Sequence, residues 1–137
     1  MEDQNLPEIN ALVERFFSLF TNTQGNEPQV DNIKHMFIEQ GIIINATTTP
    51  TQVYSLDEFI APRKAWLSDG TLTDFSEWET SHNTTIFGNI AQRYVTYEKS
   101  GYLKGTYFET KGVKNIQLIK TNGVWKMVSV TWHDEVE

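Results

Sequence analysis

The dipeptide Asn122-Gly123, set between Val113–Lys120 and Val124–His133, constrains this chain more than any other feature. A two-residue hairpin loop follows the right-handed twist of its strands only when both central residues take positive φ, and Asn-Gly accepts that conformation readily. The flanking segments therefore pair antiparallel. Gly88-Asn89 repeats the signal between a long strand, Leu72 to Phe87, and a second running from Ile90 to about Glu98. A loop from Lys99 to Thr106 then leads through a short extended piece at Tyr107-Phe108 into Val113–Lys120. Residues 72–134 thus predict an antiparallel meander.

Before Leu72 the periodicity is helical. Asn5, with Glu8 three residues on, predicts the cap of a helix whose apolar stripe is Ile9, Leu12, Val13, Phe16 and Phe20. Phe17 and Leu19 widen that stripe, so the helix is covered on more than one side. After the breaker Thr21 to Pro28, a short second helix carries Val30, Ile33 and Phe37 and stops near Gly41. The β-branched run Ile42-Ile43-Ile44 predicts a strand or short hairpin reaching Tyr54. Ser55 and Glu58 form a capping box for a third helix with Phe59, Ile60, Trp66 and Leu67 inward, closed by Asp69-Gly70. Pro62 inside it predicts a kink or break near Ala61. Helices followed by a meander make an α+β plan, with 1–137 as one domain.

Composition narrows the function classes. The absence of cysteine excludes disulfides, thiolate nucleophiles and sulfur-ligated metals. Eleven basic against eighteen acidic residues give a net charge of -7, which repels a phosphate backbone, so no nucleic acid is expected as partner. The opening MEDQNLPE lacks the basic and apolar stretches of a signal peptide, and no run is long enough to span a membrane. A cytoplasmic protein is the expectation. His35, His82 and His133 show no ligand spacing, and phosphate loops, nucleophile elbows and zinc-helix motifs are missing; neither metal nor cofactor is expected.

The meander resembles a known family. GNIAQRYVTYE (Gly88 to Glu98) and GVKNIQLIKTNGVWKMVSVTW (Gly112 to Trp132), with Gly88-Asn89-Ile90-Ala91, Gln117-Leu118 and Trp125 followed by Met127, are similar to the nuclear-transport-factor-2-like superfamily, in particular its small bacterial-type members. FIAPRKAWL (Phe59 to Leu67) resembles the third helix of that group. The resemblance implies a cone-like α+β roll: helices packed in a strongly curved antiparallel sheet, a pocket at the wide end, and often a homodimer through the outer sheet face. The superfamily includes isomerases, dehydratases and cyclases as well as transport adaptors, so fold alone does not decide chemistry. The tyrosine that isomerase-like members carry on the first helix is replaced here by Phe16, Phe17 and Phe20, and only Glu39 stands near their acidic position.

Strand alternation then places the candidates. With Gly88-Asn89 as a two-residue loop, Ile86 pairs with Ala91, Thr84 with Arg93, His82 with Val95 and Thr80 with Tyr97, on one face with Trp78. That face, with Trp66 as a wall, is the expected pocket, with Trp78, His82, Arg93, Val95 and Tyr97 lining it. Arg93 favours an anionic ligand such as a carboxylate. His82 reads either as a hydrogen-bonded core histidine or as a pocket group able to move a proton. Glu77 and Glu79 fall on the opposite face as a solvated edge, and a bulge would exchange the two faces beyond it. In the last hairpin Leu118 pairs with Met127 and Ile116 with Ser129, leaving Val128, Val130 and Trp132 outward as an apolar dimer face. Three functions stay open: binding of a small apolar or anionic molecule, a cofactor-free isomerase, dehydratase or cyclase, and a protein-interaction module.

Overall fold

The computed structural model describes residues 4–135. Helix α1, Asn5–Ser18, buries Ile9, Leu12, Val13, Phe16 and Phe17, as its broad stripe predicts. Its start differs from the expectation. Gln4 occupies the cap without a side-chain bond, because Asn5 is already helical and its Oδ1 accepts from Lys120 Nζ and Trp125 Nε1, each at 3.0 Å. The predicted second helix shrinks to a 3-10 turn, Val30–Asn32, and one α turn, α2, Ile33–Met36. Phe37 opens strand β1, Phe37–Asn45, which forms a hairpin with β2, Gln52–Ser55.

Helix α3, Leu56–Ser68, begins with the full capping box: Glu58 N donates to Ser55 Oγ and Ser55 N to Glu58 Oε1. It continues through Pro62 without the expected break. Phe59 and Ile60 before the proline and Leu67 after it are buried, so packing on both sides offsets the lost hydrogen bond. Trp66, expected inward, is 41% exposed.

Four strands follow: β3 (Leu72–Phe87), β4 (Ile90–Leu103), β5 (Thr106–Thr121) and β6 (Val124–Asp134). The expected loop at Lys99–Thr106 is strand on both sides of a tight turn at Lys104-Gly105, where φ values of 50° and 83° meet the same demand as Asn122-Gly123. The sheet order is β2-β1-β6-β5-β4-β3, open at β2 and β3. Every pairing is antiparallel except β1 with β6, which is parallel. The chain between those two strands is long enough for the crossover that a parallel pair needs. Helices and half-wrapped sheet enclose one buried cluster, in which Phe16, Phe37, Tyr97, Met127 and Trp132 are central.

Two register shifts decide which side chains enter the cluster. Pairing from Phe87↔Ile90 to His82↔Val95 follows the expected register, and Ser81↔Thr96 continues it. The next pair is Glu79↔Tyr97, so Thr80 is an extra residue. Its hydroxyl and that of Ser81 both meet Thr96 Oγ1, at 2.7 and 2.5 Å. The bulge exchanges the faces beyond it: Glu77 and Glu79 turn inward and Trp78 turns outward, 42% exposed. In the last hairpin Leu118↔Met127 is followed by Gln117↔Ser129 and Ile116↔Val130, which makes Val128 the extra residue. Val130 and Trp132 therefore join Trp125 and Met127 inside, 1% and 8% exposed. The expected dimer face of Val128, Val130 and Trp132 does not form: only Val128 remains partly exposed.

Candidate functional site

A cavity of about 330 Å³ lies between α1, α3 and the inner sheet face. Its walls are apolar: Phe16 from α1 and Phe20 just after it, Phe59 and Leu67 from α3, and Phe75, Phe108 and Trp132 from the sheet. Trp66 stands in the wall. Five charged side chains also line it: Arg63, Glu77, Lys99, Lys114 and Asp134.

Arg63 projects from α3 into an aromatic cage. Its guanidinium carbon sits 3.8 Å from the Phe59 ring centroid, 5.3 Å from Tyr54, 5.5 Å from Trp66 and 5.7 Å from Trp132. Nη1 donates to the Phe59 carbonyl at 3.2 Å, and among the described residues no carboxylate lies within 4 Å. Burial pushes its pKa down from the ordinary arginine value. The group is positive, partly desolvated and without an ion-pair partner among the described residues, with Tyr54 and Glu77 opposing the burial shift, and a guanidinium in that state can bind carboxylate through paired hydrogen bonds.

Deeper in, Lys114 Nζ stands 3.0 Å from Glu77 Oε2, their side chains 8% and 7% exposed. The two form a buried ion pair. The ammonium also lies over the Tyr97 ring at 4.4 Å, with the Trp132 and Phe17 rings at 5.3 and 5.6 Å. Desolvation holds the Lys114 pKa below the ordinary lysine value, with Glu77 opposing and Lys99 adding to the shift. Beside it the Tyr97 hydroxyl donates to Asp134 Oδ1, and Lys99 Nζ lies 3.1 Å from Oδ2. Burial, followed by that bond, drives the Tyr97 hydroxyl well above its usual range.

The residues expected to line the pocket divide among three places. Val95 and Tyr97 are core, although Tyr97 presents its ring to Lys114. Trp78, His82 and Arg93 border a separate cleft of about 470 Å³ between α1 and β3. Arg93 is buried, but its donors are already used: Nη2 and Nε reach Glu79 at 2.6 and 3.2 Å, and Nη1 reaches Asn10 Oδ1 at 2.6 Å and Thr84 Oγ1 at 3.2 Å. A guanidinium so satisfied serves the fold. His82 is exposed, with Nδ1 3.0 Å from Thr84 Oγ1. Sequence reasoning passed over Arg63, Lys99, Lys114 and Asp134, and it set Glu77 on a solvated edge. Arg63 was legible from spacing, since Phe59 at i−4 and Trp66 at i+3 share its helix face. Lys114 was legible too, because it continues the inward row of Ile116 and Leu118. Among the described residues no group of three or more His, Asp or Glu converges as a metal site, and no helix is long and apolar enough to cross a membrane.

No family model matches the sequence, and no curated protein matches it. Solved structures do match the fold. A protein from Kribbella flavida superposes with a TM-score of 0.76 at 15% identity, covering 97% of this chain and 92% of that one. A nuclear transport factor 2-like superfamily protein from Salmonella enterica serovar Typhimurium gives 0.76 at 13% identity over 96% and 91%. An uncharacterised protein with a cystatin-like fold from Caulobacter vibrioides gives 0.75 at 13% identity over 98% and 92%. With the helices, the sheet order and the inward pocket, these similarities establish that the chain has the α+β fold of the nuclear-transport-factor-2-like, cystatin-like group.

Proposed function

We propose that this protein binds a small amphipathic anion, an apolar or aromatic body carrying a carboxylate, in the cavity under α3. The observation that carries the reading is Arg63: a caged guanidinium, without an ion-pair partner among the described residues, at an apolar cavity. The volume of about 330 Å³ is at the small end of ligand sites, which suits a single ring or a short chain. Arg63, Lys99 and Lys114 against Glu77 and Asp134 leave one positive charge in excess on the lining. The phenylalanine and tryptophan walls supply contact area, and the cation fixes orientation. Arg63 takes the role that the sequence suggested for Arg93.

Calorimetric titration with benzoate, phenylacetate and hexanoate, each beside its neutral amide, tests the proposal. The acids are expected to bind and the amides to bind at least tenfold more weakly. Arg63→Lys keeps the charge but loses the paired hydrogen bonds, and is expected to weaken the acids as well. Equal binding of the acids to wild type and Arg63→Ala, or no binding of any acid at millimolar concentration, overturns it.

A further inference from the structure

We propose that Lys114 is a reactive amine that condenses with the carbonyl group of a small aldehyde or ketone in the cavity, with Glu77 as its proton partner. The inference rests on the reading of the cavity as a small-molecule site and adds a chemical class of ligand to it.

Three observations carry it. First, Lys114 lines the cavity with a side chain 8% exposed, so a molecule lying among Phe16, Phe59 and Trp132 shares the space that its nitrogen faces. Second, the nearest base is a single carboxylate, Glu77, in ion-pair contact at 3.0 Å. A carboxylate in that contact is placed to take the ammonium proton and to return it to an oxygen on a neighbouring carbon. Third, the charged form of the lysine is disfavoured by position: its side chain is only 8% exposed and Lys99 is close by. A lysine desolvated near a second cation is how proteins make an amine nucleophilic near neutral pH. The charged and titratable groups facing it are Glu77 from β3, Tyr97 and Lys99 from β4, and Asp134 from β6; Asp134 is engaged by Tyr97 and Lys99, which leaves Glu77 to exchange the proton.

The step balances without a further reactant. The Lys114 ammonium passes one proton to Glu77, and the neutral nitrogen adds to the carbonyl carbon. The nitrogen-to-oxygen proton shift gives a carbinolamine. Glu77 then returns its proton to the carbinolamine oxygen, the C–O bond breaks, water leaves, and the nitrogen lone pair closes the C=N bond. The product is a protonated imine beside the Glu77 carboxylate, with one water released and the charge of the pair unchanged.

Trapping with cyanoborohydride tests the proposal on the intact chain. Wild-type protein is incubated at pH 6 with benzaldehyde or 4-formylbenzoate and the reductant, and the modified lysines are located by peptide mass spectrometry. Lys114 is expected to carry the adduct at a rate at least tenfold above any other lysine, although it is the buried one. The site assignment uses wild type and so does not depend on a variant folding. Glu77→Gln, which keeps the shape of the side chain, is expected to slow trapping at Lys114 at least tenfold while leaving surface lysines unchanged, an effect that a merely structural carboxylate would not have. Labelling of surface lysines with Lys114 unmodified overturns the inference. If benzoate binds while Lys114 stays unmodified, the reactive amine fails and the anion site stands. If benzaldehyde is trapped at Lys114 while no carboxylate binds, the anion reading fails and the reactive amine stands.

Discussion

Replacing Glu77 by leucine isolates the energetics of the buried ion pair in the cavity wall. Glu77 and Lys114 are 3.0 Å apart with little exposure on either side. At that separation an effective dielectric near 20 gives an attraction of about 5 kcal/mol. Removing both charges from water costs several kcal/mol per ion, so the intact pair is close to neutral for stability. Either charge alone is strongly unfavourable. Glu77→Leu strands the Lys114 ammonium next to Lys99, and is expected to cost about 3–5 kcal/mol. Lys114→Met strands the carboxylate at a similar cost, whereas Glu77→Leu combined with Lys114→Met removes both charges and is expected to return within about 1 kcal/mol of wild type. Urea unfolding followed by tryptophan fluorescence reads the cycle. With m of about 1–2 kcal/mol/M, a loss near 4 kcal/mol lowers each single variant's midpoint by roughly 2–4 M, and the double variant recovers it. A double variant that loses the sum of the two single losses refutes the reasoning, because the side chains would then not be partners in solution.

Three further outcomes follow from the same geometry. At Gly112 a Cβ would lie 2.3 Å from the His133 carbonyl oxygen and 2.6 Å from the Tyr97 hydroxyl, so Gly112→Ala is expected to cost about 1–3 kcal/mol by overpacking; an unchanged urea midpoint contradicts the close approach. Tyr97→Phe loses the bond to Asp134 and is expected to be about 1.5–3 kcal/mol less stable at pH 8. The folded state holds the Tyr97 proton above the unfolded value near 10, so wild type loses stability as pH rises past 10 and the variant does not. The gap should narrow between pH 9 and 11, and a constant gap sinks the assignment. Asn22 ties three segments together, accepting from Phe75 N at 2.7 Å and donating to the Leu67 and Leu72 carbonyls at 3.0 and 2.8 Å, so Asn22→Ala should cost about 2–3 kcal/mol and expose amides near Phe75 to faster hydrogen exchange.

Local rules recovered the elements because each rule acts on a few adjacent residues. Asn122-Gly123 turns where positive φ is demanded, Ser55 caps α3 through its own oxygen, and Leu72–Phe87 is one strand from end to end. Differences arise where a distant partner competes. Asn5 leaves its cap because Lys120 and Trp125, far along the chain, donate to it. Phe37 leaves the second helix because Met127 offers it a strand partner. The Lys104-Gly105 turn was a weaker signal only because lysine, unlike asparagine, seldom takes the left-handed conformation, and the strands on either side impose it.

The site was harder to read than the fold because strand alternation has a period of two, so one extra residue reverses every side chain beyond it. Thr80 and Val128 are the two extra residues that matter. Neither is a glycine, and neither breaks the alternation visibly; only the partner strand records the slip. Without the Thr80 bulge, Trp78 would occupy the place near Lys114 that Glu77 holds, and the lysine would be buried without a carboxylate. Without the Val128 bulge, Trp132 would face outward, and the cavity would lose the indole that stands near both Arg63 and Lys114. The two slips therefore act together. One brings the acid inward and the other brings the aromatic wall, and both meet the Lys114 ammonium of β5. Regular pairing with Thr80 kept opposite Tyr97 would turn Glu77 and Glu79 outward and leave Lys114 and Arg93 without them, two buried cations each costing about 3–5 kcal/mol. Losses of that size approach the whole stability of a domain, typically about 5–15 kcal/mol, so the irregular strand is the stable one for this sequence.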